Sequence, residues 1–70
     1  MIVNQKNTQL GSNVKKQRRL LNLTQEELAQ KAKVKYSNLV KIENNIISQP
    51  SVFTVAKIAS ALSIKIEDLI

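Results

Sequence analysis

The stretch QKAKVKYSN, residues 30–38, decides how this chain folds. It contains no glycine, no proline and no obvious helix cap, so local propensity would allow one helix to continue straight through it. A bend in the stretch would produce two short helices joined by a tight turn. Without a bend, the same residues would form the middle of one long basic helix, and the function would stay open.

Hydrophobic periodicity does not decide between these two structures. In a continuous helix over residues 24–43, at about 100° per residue, one broad apolar stripe would contain Leu28, Ala32, Tyr36, Leu39 and Ile42. Only Val34 would point well away from that stripe. One misplaced valine is weak evidence for a break, so the periodicity leaves both structures possible.

Helix start and stop signals outside the stretch predict several short helices. Asn22 suits the left-handed position that follows a first helix, and Thr24 with Glu27 has the capping-box pattern that begins a second. The segment NNIISQPS, residues 44–51, predicts a loop, after which Ser51 can cap a further helix. Strand alternation does not extend beyond a few residues. We therefore predict an all-α domain.

Apolar residues at helical spacing form the predicted core. In the first helix this set is Leu10, Val14 and Leu21, and in the second it is Leu28, Ala29 and Ala32. In the fourth helix it is Val52, Val55, Ala56, Ile58, Ala59 and Leu62. In the terminal segment, Ile66, Leu69 and Ile70 are predicted to pack back onto the domain.

The composition of this 70-residue chain allows one small domain and argues against catalysis. Cysteine and histidine are absent, which excludes disulfides, thiolate metal sites and Ser-His catalysis. The paired carboxylates, Glu26 with Glu27 and Glu67 with Asp68, are adjacent residues without a pocket-forming context. We predict no metal, no cofactor and no enzymatic activity.

The ends of the chain suggest how the domain is bounded. Residues 1–9 are predicted to be a flexible N-terminal arm, and residues 10–70 to be the folded domain. Neither a signal peptide nor an apolar run long enough to cross a bilayer is visible, so we expect a cytoplasmic protein that does not bind membranes.

Positive charge is concentrated in the first part of the chain. From Lys6 to Lys41 there are nine basic and two acidic residues, a balance of +7, whereas residues 44–70 have two of each and no net charge. This asymmetry suggests one half that faces a polyanion and one neutral half for packing or association. An ordinary solvated basic surface would have the same composition.

The motifs LTQEELAQKA, V…S…IEN and PS…IA.AL.I…DL occur in that order between Leu10 and Ile70. Their order and spacing resemble the lambda-repressor-like, or XRE/Cro-type, helix-turn-helix family. The resemblance implies a compact fold of five helices at roughly residues 10–21, 25–32, 36–43, 52–61 and 66–69. It places a turn at residues 33–35, with Val34 in the core. Lys33 and Asn45 stand where the family often has glycine, and Lys35 where it has a small capping residue.

The same resemblance implies which residues contact DNA. The third helix would lie in the major groove and read bases with Tyr36, Ser37, Asn38, Val40 and Lys41. Lys41 can donate to guanine, and Val40 can contact a thymine methyl group. Alternatively, Tyr36 covers the turn and Lys41 is an ordinary solvated lysine.

Two further sets of residues follow from the resemblance. The predicted contacts to DNA phosphates are Gln25, Lys35 and Asn44, and a plain surface amide is the alternative for Gln25. Arg18 and Glu43 are expected to form a partly buried salt bridge between the first and third helices. Arg18 would then be structural first and a DNA contact second.

Three apolar residues outside the predicted core suggest an association surface: Ile46, Ile47 and Phe53. Alternatively, Phe53 folds over Ile46 as a small satellite cluster.

The predicted function is a sequence-specific regulator of transcription, a small repressor or controller that binds double-stranded DNA as a homodimer without a small-molecule effector. The alternative is a protein-interaction module of the same fold, an antitoxin or anti-regulator that binds a partner protein.

Overall fold

The computed structural model describes residues 9–70. Four α-helices follow one another in this part of the chain: α1 Gln9–Leu20, α2 Gln25–Ala32, α3 Tyr36–Glu43 and α4 Val52–Ala61. A short 3-10 helix, Ile66–Asp68, comes last, and residues 9–70 contain no strand. The all-α prediction is confirmed. Most of the predicted N-terminal arm lies outside the described residues, and its last residue, Gln9, is the first residue of α1.

A fifth α-helix is not confirmed. The segment predicted as residues 66–69 forms one 3-10 turn, in which Asp68 N–H donates to the Lys65 carbonyl and Leu69 N–H to the Ile66 carbonyl. The Asp68 carboxylate also accepts from the Lys65 backbone N–H at 3.1 Å, which closes the turn on itself. Bonds between residues three apart make a tighter and shorter helix than the α-form.

The predicted helix starts at Thr24 and Ser51 are confirmed. Thr24 Oγ1 accepts from the Glu27 N–H at 3.0 Å, and Glu27 Oε1 accepts from the Thr24 N–H at 2.8 Å, which is a complete capping box. Ser51 Oγ accepts from the Thr54 N–H at 3.2 Å. Lys35, which precedes α3, makes no side-chain cap. Side-chain capping therefore stabilises the starts of α2 and α4, whereas α3 depends on its packing.

The bend within QKAKVKYSN lies at residues 33–35, as predicted. Lys33 has φ 60° and ψ 42°, a left-handed conformation that stops α2. The Val34 N–H donates to the Ala29 carbonyl and the Lys33 N–H to the Gln30 carbonyl, which is the Schellman pattern. Val34 is half-buried and packs against the core, so one continuous helix is excluded.

Every α-helix of residues 9–70 ends in this manner, and no glycine is used. The residues with positive φ are Asn22, Lys33, Asn45 and Ser63, at 57° to 62°. The left-handed conformation costs a non-glycine residue about 1–2 kcal/mol, and asparagine less. All four residues are exposed, so their cost comes from the backbone conformation and not from side-chain packing.

One apolar core joins the helices. Its largest fully buried side chains are Val14, Leu28, Leu39, Ile42, Ile58 and Leu69. The α2 helix packs on both α3 and α4, and α1 packs on α3. Asn13 Nδ2 donates to the Leu69 carbonyl at 2.8 Å, which attaches the end of the domain to α1.

The prediction of a buried side chain is wrong for three residues. Leu21 is 48% exposed because α1 ends at Leu20 and helical periodicity no longer applies beyond that residue. Val52 is 63% exposed because it is the first residue of α4 and precedes the part of the helix that meets the core. Ile70 is 64% exposed because the core accepts Leu69, its neighbour, instead.

The chain's single glycine has a packing role that no local pattern indicates. Gly11 lies buried in α1 against the end of α3. A Cβ atom added there would lie 2.4 Å from the Ile42 carbonyl oxygen and 3.0 Å from that of Glu43. These contacts are too short for any side chain, so the approach of α1 to α3 requires glycine.

Replacing Gly11 with alanine should therefore destabilise the domain, although alanine favours helix formation by about 1 kcal/mol over glycine. The new methyl group would push α1 away from backbone atoms that cannot yield. We expect Gly11→Ala to lower the free energy of unfolding by about 1–3 kcal/mol in urea titrations. The exposed neighbour supplies a control, since Ser12→Ala should leave stability unchanged or slightly higher. Equal or greater stability for Gly11→Ala would contradict the close approach.

Candidate nucleic-acid interface

The α3 helix presents one polar face to solvent. Leu39 and Ile42 are 0% and 1% exposed and hold the opposite face in the core. The solvent face contains most of the predicted base-reading residues, namely Tyr36, Ser37, Asn38 and Lys41. Val40 is half-buried at the border of this face. The structure thus brings these residues together on one short helix.

Tyr36 is the first residue of α3 and directly follows the turn. Its side chain is 49% exposed, so about half of its surface is covered. This exposure allows both interpretations of the residue, since about half of its surface is covered and the rest remains accessible.

A buried ion pair connects α1 to the end of α3. Arg18 Nε donates to Glu43 Oε2 at 2.7 Å, and Arg18 Nη2 donates to Glu43 Oε1 at 3.0 Å. The Glu43 side chain is fully buried and that of Arg18 is 11% exposed. Arg18 Nη1 also donates to the Leu23 carbonyl at 2.8 Å. This two-pronged geometry is the strong form of an arginine–carboxylate interaction, and it occupies Arg18 inside the domain.

Gln25, a predicted phosphate contact, belongs to the same cluster. Its Nε2 donates to Glu43 Oε1 at 3.0 Å, and the residue is half-buried at the start of α2. Within the described part of the chain, Glu43 therefore accepts three hydrogen bonds from two residues. Nothing in the sequence spacing indicates this link, because the partners are 18 residues apart and meet only when α2 packs on α3.

The other two predicted phosphate contacts flank the exposed face. Lys35 precedes α3 and Asn44 follows it, and both are exposed. Eight helical residues span about 12 Å, so the two side chains belong to opposite ends of the face. Lys33, in the left-handed turn position, adds a further exposed positive charge.

Comparison with known proteins gives the family. The family model described as helix-turn-helix matches residues 14–69, which include α2, the turn and α3. The chain belongs to the lambda-repressor-like helix-turn-helix family. A similar solved structure is the N-terminal DNA-binding domain of SinR from Bacillus subtilis, with a TM-score of 0.86 and 31% sequence identity over 89% of this chain and 90% of that one. No curated protein sequence matches the chain.

The first three helices and the turn carry most of the exposed positive charge of residues 9–70. Their exposed basic side chains are Lys16, Arg19, Lys31, Lys33, Lys35 and Lys41. The ion pair neutralises Arg18 and Glu43 internally. Residues 9–70 contain no cluster of three or more potential metal-binding side chains and no helix long and apolar enough to span a membrane.

The three residues of the predicted association surface differ in exposure. Ile46 is 69% exposed and Phe53 is 77% exposed, whereas Ile47 is half-buried and packs against the core. At these exposures Phe53 does not shield Ile46, which argues against the satellite cluster. Ile46 and Phe53 therefore remain available on the surface of the helix-turn-helix domain.

The buried ion pair should show a characteristic pattern of mutational energies. Arg18→Met or Glu43→Leu alone would strand one buried charge and should cost about 3–5 kcal/mol of unfolding free energy. The double variant Arg18→Met/Glu43→Leu strands neither charge and should be more stable than either single variant. Urea unfolding of the four proteins measures these differences. A double variant whose loss equals the sum of the two single losses would contradict the assigned pairing.

Proposed function

We propose that this protein is a sequence-specific regulator of transcription, a small repressor or controller that binds double-stranded DNA with α3 in the major groove. The observation that carries the proposal is the exposed polar face of α3 within a helix-turn-helix. A helix of this width fits the major groove, where each base pair presents a distinct pattern of donors and acceptors. The similar SinR domain is itself a DNA-binding domain.

Each residue of the face has a chemistry suited to a base edge. The Lys41 ammonium group donates to guanine O6 and N7, and the Asn38 amide can pair with adenine. Ser37 donates or accepts, Val40 contacts a thymine methyl group, and Tyr36 stacks on sugar or donates to phosphate. Together these side chains would select the bases of one half-site.

Phosphate contacts would set the position of α3 in the groove. Gln25, Lys35 and Asn44 surround α3 and would bind the DNA backbone without reading bases. The net charge of +6 supports this role, because basic side chains release the counterions of DNA. Binding should accordingly weaken steeply as salt is added.

Dimerisation would supply the second half-site. One eight-residue helix contacts only a few base pairs, and repressors with this motif read pseudo-palindromic sites as dimers. The exposed side chains of Ile46 and Phe53 supply apolar area for a homodimer contact, and half-buried Ile47 packs against the core. No cofactor or small-molecule effector is needed, and the proposed compartment is the cytoplasm.

A protein-interaction module of the same fold is a second candidate. The exposed apolar side chains of Ile46, Val52 and Phe53 favour this function, since a partner protein could cover them. The basic surface of α1–α3 argues against it as the sole role. Absence of binding to random duplex DNA at low salt would favour the second candidate over the first.

The DNA-binding proposal predicts a specific loss on replacing Lys41. Sites selected from a random duplex library should yield a preferred half-site, and Lys41→Ala should cost about 1–3 kcal/mol on it. The reason is that Lys41 is assigned to a base edge, so its removal relaxes preference at one position. Fluorescence anisotropy on the selected site and on random duplex measures both losses.

Lys57→Ala is the matched control, because Lys57 is an exposed lysine of α4, outside the helix-turn-helix, and its loss removes the same charge. It should weaken binding little and equally on both DNAs. Equal losses on selected and random DNA for Lys41→Ala would contradict the base-reading role.

The dimer proposal makes a separate prediction for Phe53. Phe53→Asp places a charge in the proposed apolar contact and should convert a dimer into a monomer without unfolding it, because the side chain is exposed. Sedimentation equilibrium of both proteins at the same concentration measures the mass. The same mass for both proteins, whether monomeric or dimeric, would contradict this surface.

A further inference from the structure

The buried carboxylate of Glu43 does more than pair with Arg18. Among residues 9–70, its Oε2 atom accepts one hydrogen bond, from Arg18 Nε at 2.7 Å. Its Oε1 atom is shared by Arg18 Nη2 and Gln25 Nε2, each at 3.0 Å. The amide of Gln25, the first residue of α2, thus donates to the same carboxylate as Arg18. A single buried group thus connects the start of α2 with the end of α3.

The shared oxygen restrains the Gln25 side chain. A free glutamine side chain samples many rotamers, and fixing it costs up to about 2 kcal/mol. Here a hydrogen bond to an ionised acceptor holds it, and such bonds are about twice as strong as neutral ones. Because the amide nitrogen carries two hydrogens, one can bind Glu43 while the other stays available in a fixed direction.

Arg18 removes the electrostatic obstacle to this arrangement. A lone carboxylate next to a phosphate-binding amide would repel the phosphate, because like charges near a protein surface interact unfavourably. The two-pronged bond from Arg18 neutralises the carboxylate where Gln25 touches it. The cluster can therefore orient the amide without repelling an anion that the amide binds.

We propose that Glu43 is a positioning residue for DNA-backbone binding, which holds the Gln25 amide ready for a phosphate before DNA arrives. This inference rests on the proposed function, since it requires Gln25 to contact DNA. It assigns Glu43, which is buried and cannot touch DNA itself, an energetic role in DNA affinity through Gln25.

The test is whether the contribution of Gln25 depends on Glu43. In the native background, Gln25→Ala should weaken binding about fivefold on selected and random duplex alike, as expected for one hydrogen bond. In the Arg18→Met/Glu43→Leu background, the same replacement should change affinity by less than about twofold. The reason is that Gln25 without Glu43 is no longer held in position for a phosphate. Anisotropy titrations of the four proteins give both ratios. Equal losses in the two backgrounds would overturn the proposal.

A measurement on the native protein covers the case in which the double variant does not fold. The side-chain amide signals of Gln25, assigned by their loss in Gln25→Ala, should show restricted motion in nitrogen-15 relaxation without DNA, with an order parameter of about 0.8. The matched reference is Gln30, an exposed residue of the same helix, whose amide should move freely. Equal mobility of the two amides would overturn the proposal.

These results separate the inference from the function it rests on. A native protein that fails to bind any duplex at low salt overturns the proposed function and, with it, the inference. Native DNA binding that is unaffected by Gln25→Ala overturns the inference and leaves the proposed function in place. Gln30→Ala should leave affinity unchanged and controls for general effects of shortening a side chain in α2.

Discussion

The rest of the structure depends on a buried carboxylate that three segments of the chain share. Glu43 ends α3, and its oxygens accept from Arg18 of α1 and from Gln25 of α2, while Arg18 also donates to the Leu23 carbonyl between those helices. A buried charge is costly unless donors surround it, so the carboxylate is stable only when the three helices adopt this arrangement. In the described residues, no buried side-chain polar atom lacks a partner. Removing one member of the cluster would leave a buried charge without its partner, which costs more than replacing the whole ion pair with apolar side chains.

Glycine is used in this domain only where close packing demands it. Other residues occupy the left-handed positions that end the four α-helices. Their side chains are exposed, so only the backbone conformation is unfavourable there. Gly11 is different, since any side chain there would overlap the backbone of α3. Backbone strain of about 1 kcal/mol can be distributed over exposed turns, whereas a collision between two helix backbones cannot.

The same packing that builds the fold prepares the proposed binding surface. Leu39, Ile42 and Glu43 hold one side of α3, which leaves its polar side exposed as a unit. The hydrogen bond from Gln25 to Glu43 adds a polar link to the apolar packing of α2 on α3. A domain of this size has few buried groups, so a single carboxylate can serve both the fold and the site.

The sequence by itself determined the all-α fold class, the capped helix starts at Thr24 and Ser51 and the left-handed residue Asn22 after α1. These features depend on interactions between residues a few positions apart. The motif pattern located the turn at residues 33–35, where periodicity alone allowed a continuous helix. Only the tertiary structure decided that Leu69 rather than Ile70 is buried, and that Gly11 lies close against α3. It also decided that Arg18 and Gln25 share the Glu43 carboxylate. Those contacts join residues far apart in the chain, and they exist only when the helices pack against one another.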